Sequence, residues 1–169
     1  MSWLRGVAGL ALVLVAAVGV VYWMGSRLPL EHRAVATGRV EASQSVVWKL
    51  VTDTATQTAW REGLAKVEFL SGEEHCWVET QQSMKIAFCT VREVPENLRV
   101  VRVKGQADFG GRWTYALEPL GAGATEVTIT EDGFVKSPLW RFMGHYMMGE
   151  ETNVKQFLRD LQAEAVRQR

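Results

Sequence analysis

Near its C-terminal end the chain changes hydrophobic period within a few residues. In TITEDGFV, Thr128–Val135, apolar and polar residues alternate as they do in a strand. From Ser137 onward Leu139, Phe142, Met143, Tyr146, Met147, Val154, Phe157, Leu158, Leu161 and Ala165 define one broad helical face. Ser137 suits an N-cap, with Pro138 at the first helical position. The period change therefore predicts a last strand feeding one long helix. Five β-prone runs precede it: AKVEFLSG, EHCWVETQ, MKIAFCTVREV, NLRVVRVKG and GRWTYALEPL. Their close spacing and the Gly, Pro, Asn or Ser at most joins predict an antiparallel meander.

A further strand, RAVATGRVEAS, comes earlier. Ser43 then caps QSVVWKLVTD, whose Val47, Leu50 and Val51 share a face, and TQTAWREGL brings Trp60 against the core. Neither helix is long enough to stand alone. The predicted order is one strand, two short helices, six strands and one long helix.

This order, with VVWKLVTD and WR early and GRWTYALEPL followed by TEVTITEDGFVKSPLWRF late, resembles the SRPBCC superfamily. That group includes START lipid-transfer domains, pathogenesis-related allergens and polyketide cyclases. The resemblance spans residues 33 to about 165. It implies an α+β helix-grip fold: a curved, seven-stranded antiparallel sheet around the C-terminal helix, with a cavity for apolar molecules between them. Fold alone assigns no function.

Ahead of this domain stands GVAGLALVLVAAVGVVYWM, Gly6–Met24, without a charge. As a helix it would cover about 28 Å, near the thickness of the hydrocarbon layer. Trp3 precedes it and Tyr22 and Trp23 close it, as aromatics do at the two interfaces. A cleaved signal peptide fits less well, because the apolar run is long and its exit, VYWMGSR, is bulky. The expected organisation is a single-pass transmembrane anchor at 1–24, a linker at 25–32 and the helix-grip domain at 33–169. Arg5 lies on one side of the run and Arg27 and Arg33 on the other, so positive charge barely orients it. Lys+Arg and Asp+Glu are 19 each and form no like-charged block, which argues against a nucleic-acid partner.

Several residues are candidates for chemistry. Trp113 and Tyr115 share a strand face, and Ile129 and Glu131 share another. In the helix-grip geometry these four would face the cavity with Leu139, Met143, Tyr146 and Met147. A methionine-rich aromatic wall suits an apolar ligand of variable shape; it equally suits a plain core. Glu131 is the polar exception and needs a partner if buried. Arg141, Arg102 and Arg112 are the cations in view. Glu131 then reads either as a clamp between strand and helix or as an anchor for a ligand head group. The resemblance implies that the glycine-rich KGQADFGG lies at the cavity mouth, where Phe109 would cover the entrance or touch the bilayer; an ordinary glycine-rich turn is the other reading. His75 and Glu79 would share a face if HCWVE is regular, a weak acid/base pair. No nucleophile motif, phosphate loop or metal-ligand spacing appears, so neither cofactor nor metal is expected.

The two cysteines lie in HCWVETQQSMKIAFCT. A hairpin turning at Gln82 and Ser83 sets Trp77 opposite Phe88, Val78 opposite Ala87 and Cys76 opposite Cys89. The last is a non-hydrogen-bonded pair, close enough for a disulfide. A one-residue slip would separate the sulfurs, and free buried thiols are the other reading. A bridge would favour an oxidising compartment and a periplasmic domain.

The apolar N-terminal run together with what the resemblance implies favours a membrane-anchored protein that binds a lipid or other hydrophobic small molecule, rather than an enzyme. A cyclase- or dehydratase-like enzyme acting on a polyketide-type substrate, and a ligand-free stress or scaffold module, are the competing classes.

Overall fold

The computed structural model describes residues 2–73, 75–81 and 83–168; the side chains of residues 2–6, 8, 10 and 11 lie outside the description. Helix α1 spans Ser2–Arg27. Strand β1, Glu31–Val40, is followed by α2, Gln44–Thr52, and a 3-10 turn, Thr54–Ala59. Six strands come next: β2 Leu64–Phe69, β3 Cys76–Gln81, β4 Met84–Val94, β5 Leu98–Lys104, β6 Phe109–Pro119 and β7 Thr125–Val135. The chain ends in α3, Pro138–Met143, a π-helical turn, Gly144–Met148, and α4, Thr152–Arg167.

The seven strands form one antiparallel sheet in the order β1-β7-β6-β5-β4-β3-β2. Consecutive strands from β2 to β7 are neighbours, as a meander requires, and β1 joins beyond β7. Register shifts at Leu64/Lys66 and Thr90/Arg92 interrupt the ladders at β2 and β4. Such bulges bend a strand and help a sheet curl.

Helix α4 crosses the concave face. Val154, Phe157, Leu158, Leu161 and Ala165 are its buried stripe, packed with Val127, Ile129, Leu117 and the α2 residues Val47, Leu50 and Val51. Ser43 does occupy the N-cap position of α2, but its hydroxyl pairs with Ser45 rather than with a backbone amide.

The predicted single long helix is corrected to two. Gly149 takes φ 81°, a left-handed conformation that halts the helix, and its N–H closes the π turn onto the Gly144 carbonyl at 2.9 Å. Hydrophobic spacing survives such a break, which is why the sequence reads through it. The predicted linker is also shorter than 25–32. Helix α1 runs to Arg27 and β1 begins at Glu31, so His32 belongs to the sheet.

Helix α1 does not stand apart from the domain. Its last turn packs on α3, and the Arg141 guanidinium donates to the Gly25 carbonyl at 3.0 Å. Gly25 lies so close to Pro138 that any side chain there would collide with the Pro138 carbonyl. Only part of α1 has described side chains, and Trp3 and Arg5 of the expected anchor lie outside them. Among the described residues no helix is long and apolar enough to cross a membrane.

Candidate functional site

Between the concave face of the sheet and the C-terminal helices lies a cavity of about 770 Å³. Its walls are largely apolar: Ile86, Phe88, Val101, Val103, Trp113 and Phe157 all contribute. The Tyr115 and Phe157 rings lie 5.1 Å apart, and Trp113 is 6.4 Å from Phe157. Two polar groupings on the sheet interrupt this surface, and further polar residues, among them His145, Glu150 and Gln156, line it from the helical side.

The inner grouping centres on Glu79, which is 3% exposed. Arg61 grips it with two parallel bonds, at 2.9 and 3.0 Å. The Trp77 indole and the Gln81 amide donate to the same carboxylate at 3.0 and 2.8 Å. Gln57 accepts from Arg61 at 2.8 Å and donates to the Leu50 and Val51 carbonyls, which ties the 3-10 turn to α2. Burial would push the Glu79 carboxyl up, but the Arg61 charge and the three donors outweigh it and hold its pKa below the usual value.

Arg99 sits beside this group, its guanidinium over the Trp77 ring at 5.1 Å. It donates to the Val51 carbonyl and the Thr54 hydroxyl. Burial lowers its pKa, opposed by Tyr115 and Glu93. Burial also raises the Tyr115 phenol far above its ordinary range, so it stays protonated.

The outer grouping is looser. Glu131, opposite Trp113 in the β6–β7 register, projects into the cavity. Its nearest cation is His32 on β1, with Nε2 3.7 Å from Oε1. The other oxygen, Oε2, is buried and has no hydrogen-bond partner among the described residues. Interaction with Glu131 raises the His32 pKa; burial opposes this, and the Glu131 and Glu150 charges add to it. The ring lies over Gly133, where a Cβ would come within 2.5 Å of it. Only glycine leaves the imidazole that berth.

The expected residues divide clearly. Trp113, Tyr115, Glu131, Glu79, Phe109 and Arg141 line the cavity. Ile129 shares their face but is fully buried in the core. Leu139, Met143, Tyr146 and Met147 are not in the lining. Trp140, Arg141, Gly144, His145 and Met148 border the cavity instead, with Trp140 and Met148 at its open rim, each 58% exposed, while Leu139, Tyr146 and Met147, at 46%, 53% and 67% exposed, do not border it. Leu139, Tyr146 and Met147 thus belong to the outer side of α3 and the π turn.

His75 is not brought to Glu79. Its φ of 68° places it in the turn before β3, and it borders a separate shallow surface pocket with Phe69, Leu70 and Gly72. Arg141 does not pair with Glu131. It donates to the carbonyls of Gly25, Val135 and Lys136, pinning α1, β7 and α3 together. Arg102 and Arg112 oppose each other on the face that carries Asp132, away from the cavity.

The cysteine register holds residue for residue: Cys76 opposite Cys89, Trp77 opposite Phe88 and Val78 opposite Ala87. Cys76 and Cys89 form a disulfide with Cα atoms 4.1 Å apart. Gln82, at the expected turn, lies outside the described residues. Glu73 and the two sulfurs lie together, but bridged sulfurs are not thiolate ligands.

Sequence reasoning missed His32, Arg61, Arg99 and Trp140. For His32 a signal was present. EHRAVATGRV places His32, Ala34, Ala36, Gly38 and Val40 on one side. Small residues mark a face crowded by a helix, and the histidine is the exception among them.

An antiparallel sheet gripping a C-terminal helix around a large apolar cavity defines the helix-grip class. The chain belongs to the family described as polyketide cyclase / dehydrase and lipid transport, which matches residues 31–166. Solved structures share the fold at low identity. A START superfamily protein from Mycobacterium smegmatis is 14% identical, with TM-score 0.67, covering 82% of this chain and 99% of that one. The Zhui aromatase/cyclase from Streptomyces sp. R1128 is 16% identical, with TM-score 0.63, covering 81% and 94%. Norcoclaurine synthase from Thalictrum flavum, solved with dopamine and hydroxybenzaldehyde, is 12% identical, with TM-score 0.64, covering 82% and 88%. Comparison with curated proteins gives no significant match.

Proposed function

We propose that this protein is a membrane-anchored binder of a lipid or other hydrophobic small molecule, held in the cavity with its polar end toward Glu131 and His32. The observation that carries this reading is the pairing of a largely apolar cavity of about 770 Å³ with one buried carboxylate oxygen that lacks a hydrogen-bond partner among the described residues. Ligand sites of this size combine apolar walls with a few placed polar groups. A hydroxyl or amine head group would satisfy Oε2. The inner Arg61–Glu79 group is already saturated and serves as a floor.

The anchor reading rests on the uncharged Gly6–Met24 run and on the apolar side chains that α1 leaves uncovered, among them Leu12, Val15 and Val18. The Cys76–Cys89 bridge supports a domain on the oxidising, periplasmic side of the membrane.

Native mass spectrometry of the full chain, released from detergent micelles, tests the binding reading. A hydrophobic adduct is expected, and it should be lost when Val103→Trp fills the cavity. A chain that carries no adduct and takes up no fluorescent fatty acid or sterol refutes it.

A second reading keeps an enzyme in play. The His32–Glu131 pair sets an imidazole beside a carboxylate at the cavity wall, as proton-transfer chemistry requires. A ligand recovered chemically changed after incubation, with the change abolished by Glu131→Gln, would favour a cyclase-like activity.

A further inference from the structure

The cavity is built partly from the chain that leaves α1. Leu28, Pro29 and Leu30, the three residues directly after the helix, all line it. No flexible tether separates α1 from the domain: α3 packs on the last turn of α1, and Arg141 holds the Gly25 carbonyl. The end of α1 therefore fixes where the cavity opens.

Around that opening several large apolar side chains stand exposed, beside the charged Glu31, Asp108 and Glu150. Leu30, Leu139, Trp140, Tyr146, Met147 and Met148 are each 46–67% exposed. Tyr22 and Trp23 of α1, both 58% exposed, continue the patch toward the apolar run. Soluble surfaces rarely gather so many large apolar groups in one place. Arg27, stacked on Trp23 at 5.1 Å, and the exposed Lys136 border the patch. Aromatic rings flanked by cations suit the level of lipid head groups. Leu139, Tyr146 and Met147, which do not line the cavity, thus have a place: they stand outside the rim formed by Trp140 and Met148.

We infer that the cavity mouth rests on the bilayer, with the end of α1, the Leu28–Leu30 segment and the outer face of α3 and the π turn forming one lipid-facing surface. A ligand would then pass between bilayer and cavity without crossing water. The occupant of the patch is the lipid surface itself, because the patch is continuous with the apolar run of α1. This inference rests on the anchor and ligand readings above and adds the direction in which the cavity faces.

The test uses the full chain, disulfide intact, reconstituted in phosphatidylcholine and phosphatidylglycerol vesicles. Single cysteines at Val15, Met147 and Ala122 carry a small fluorophore, with the unsubstituted chain as the labelling background. Ala122 lies in the β6–β7 turn, at the far end of the sheet from the mouth. Lipids with nitroxide groups at head-group depth and in the acyl chain serve as quenchers. The expected result is several-fold quenching at Val15 by the acyl nitroxide and at Met147 by the head-group nitroxide, with none at Ala122. Quenching at Val15 without Met147 overturns the inference and leaves the anchor standing. Quenching at neither overturns both. Equal quenching at Ala122 means nonspecific adsorption and overturns the inference. An unquenched Met147 label with cross-linking between two chains at that position assigns the patch to self-association and overturns it too. Ligand content, read separately by mass spectrometry, decides the binding reading whatever the quenching shows. As a second variant, Leu139→Asp with Met147→Asp should slow lipid uptake from vesicles several-fold while leaving the melting temperature unchanged, since both side chains are exposed. Unchanged uptake overturns the inference.

Discussion

Glu79 and Glu131 are both carboxylates facing the same cavity, and they are treated in opposite ways. Glu79 receives bonds from Arg61, Trp77 and Gln81 on both oxygens. Glu131 has a histidine 3.7 Å from one oxygen and no hydrogen-bond partner on the other among the described residues. The first is a finished structural unit, and its charge is fully compensated. The second has spare bonding capacity, which the fold leaves open at some cost. A buried polar group with unspent capacity marks a place for something else to bind.

Breaking the finished unit should have the largest effect. Glu79→Gln leaves the Arg61 guanidinium partly buried without its counter-charge, and stability should fall by about 3–5 kcal/mol. Urea denaturation measures it; a loss below about 1 kcal/mol would mean that water already compensates Arg61. The same pair predicts an acid limit. The Glu79 pKa is held low, so its contribution is present above the ordinary carboxyl value of about 4.3 and disappears as pH falls through the folded value.

Next in size is the bridge that secures β3 three residues from Glu79. Cys76 and Cys89 are 13 residues apart, and a loop of that length is worth about 3 kcal/mol when closed. Cys76→Ala with Cys89→Ala should lower the denaturation midpoint accordingly, and reductant should have the same effect on the native chain. The mouth has no comparable cross-link, so a hydrogen-exchange experiment on the double variant should locate the loss on β3 and β4.

Glu131→Gln sharpens the contrast from the other side. Stability should change by less than about 1 kcal/mol, because little is bonded to the carboxylate. Affinity for the ligand recovered from the native chain should fall about tenfold or more. If stability collapses instead and affinity holds, Glu131 is a clamp, and the distinction between the two carboxylates fails.

The smallest effect is a pH dependence at the mouth. Glu131 raises the His32 pKa, with Glu150 contributing, so the contribution is full below the unfolded value of about 6.5 and is lost as pH rises through the folded value. The difference in melting temperature between the native chain and His32→Gln should shrink from about pH 6 to about pH 8. A difference that grows over this range has the wrong sign and would discard the pairing.

The sequence exposed the frame of this molecule more readily than its site. Strands announce themselves through alternation, and the Cys76–Cys89 register followed from counting outward from a turn. Alternation also paired Trp113 with Tyr115 and Ile129 with Glu131 within their strands, and the family resemblance supplied the side of the sheet that they share. Helical spacing was less informative. It identified the stripe through Leu139, Met143, Tyr146 and Met147, but not whether that stripe faced inward or outward, and it passed over the break at Gly149. Partners were harder still. Glu79 and Arg61 are 18 residues apart, and His32 meets Glu131 only because the first strand lies beside the last. Long-range juxtapositions of this kind leave no local pattern to read.

That pairing of first strand with last also orders events during synthesis. Thr37 and Thr128, whose hydroxyls meet at 3.0 Å, are separated by 91 residues. Strand β1 emerges early and has no strand neighbour until β7 has been made, so the sheet is completed last along the seam that holds His32 and Glu131. If α1 is already held in the bilayer, β1 waits beside it, an unpaired edge on a tethered nascent chain. Ribosome-stalled chains ending before Thr125 should therefore leave β1 open to protease, and chains that have released α4 should protect it; early protection of β1 would show that another element shelters it first.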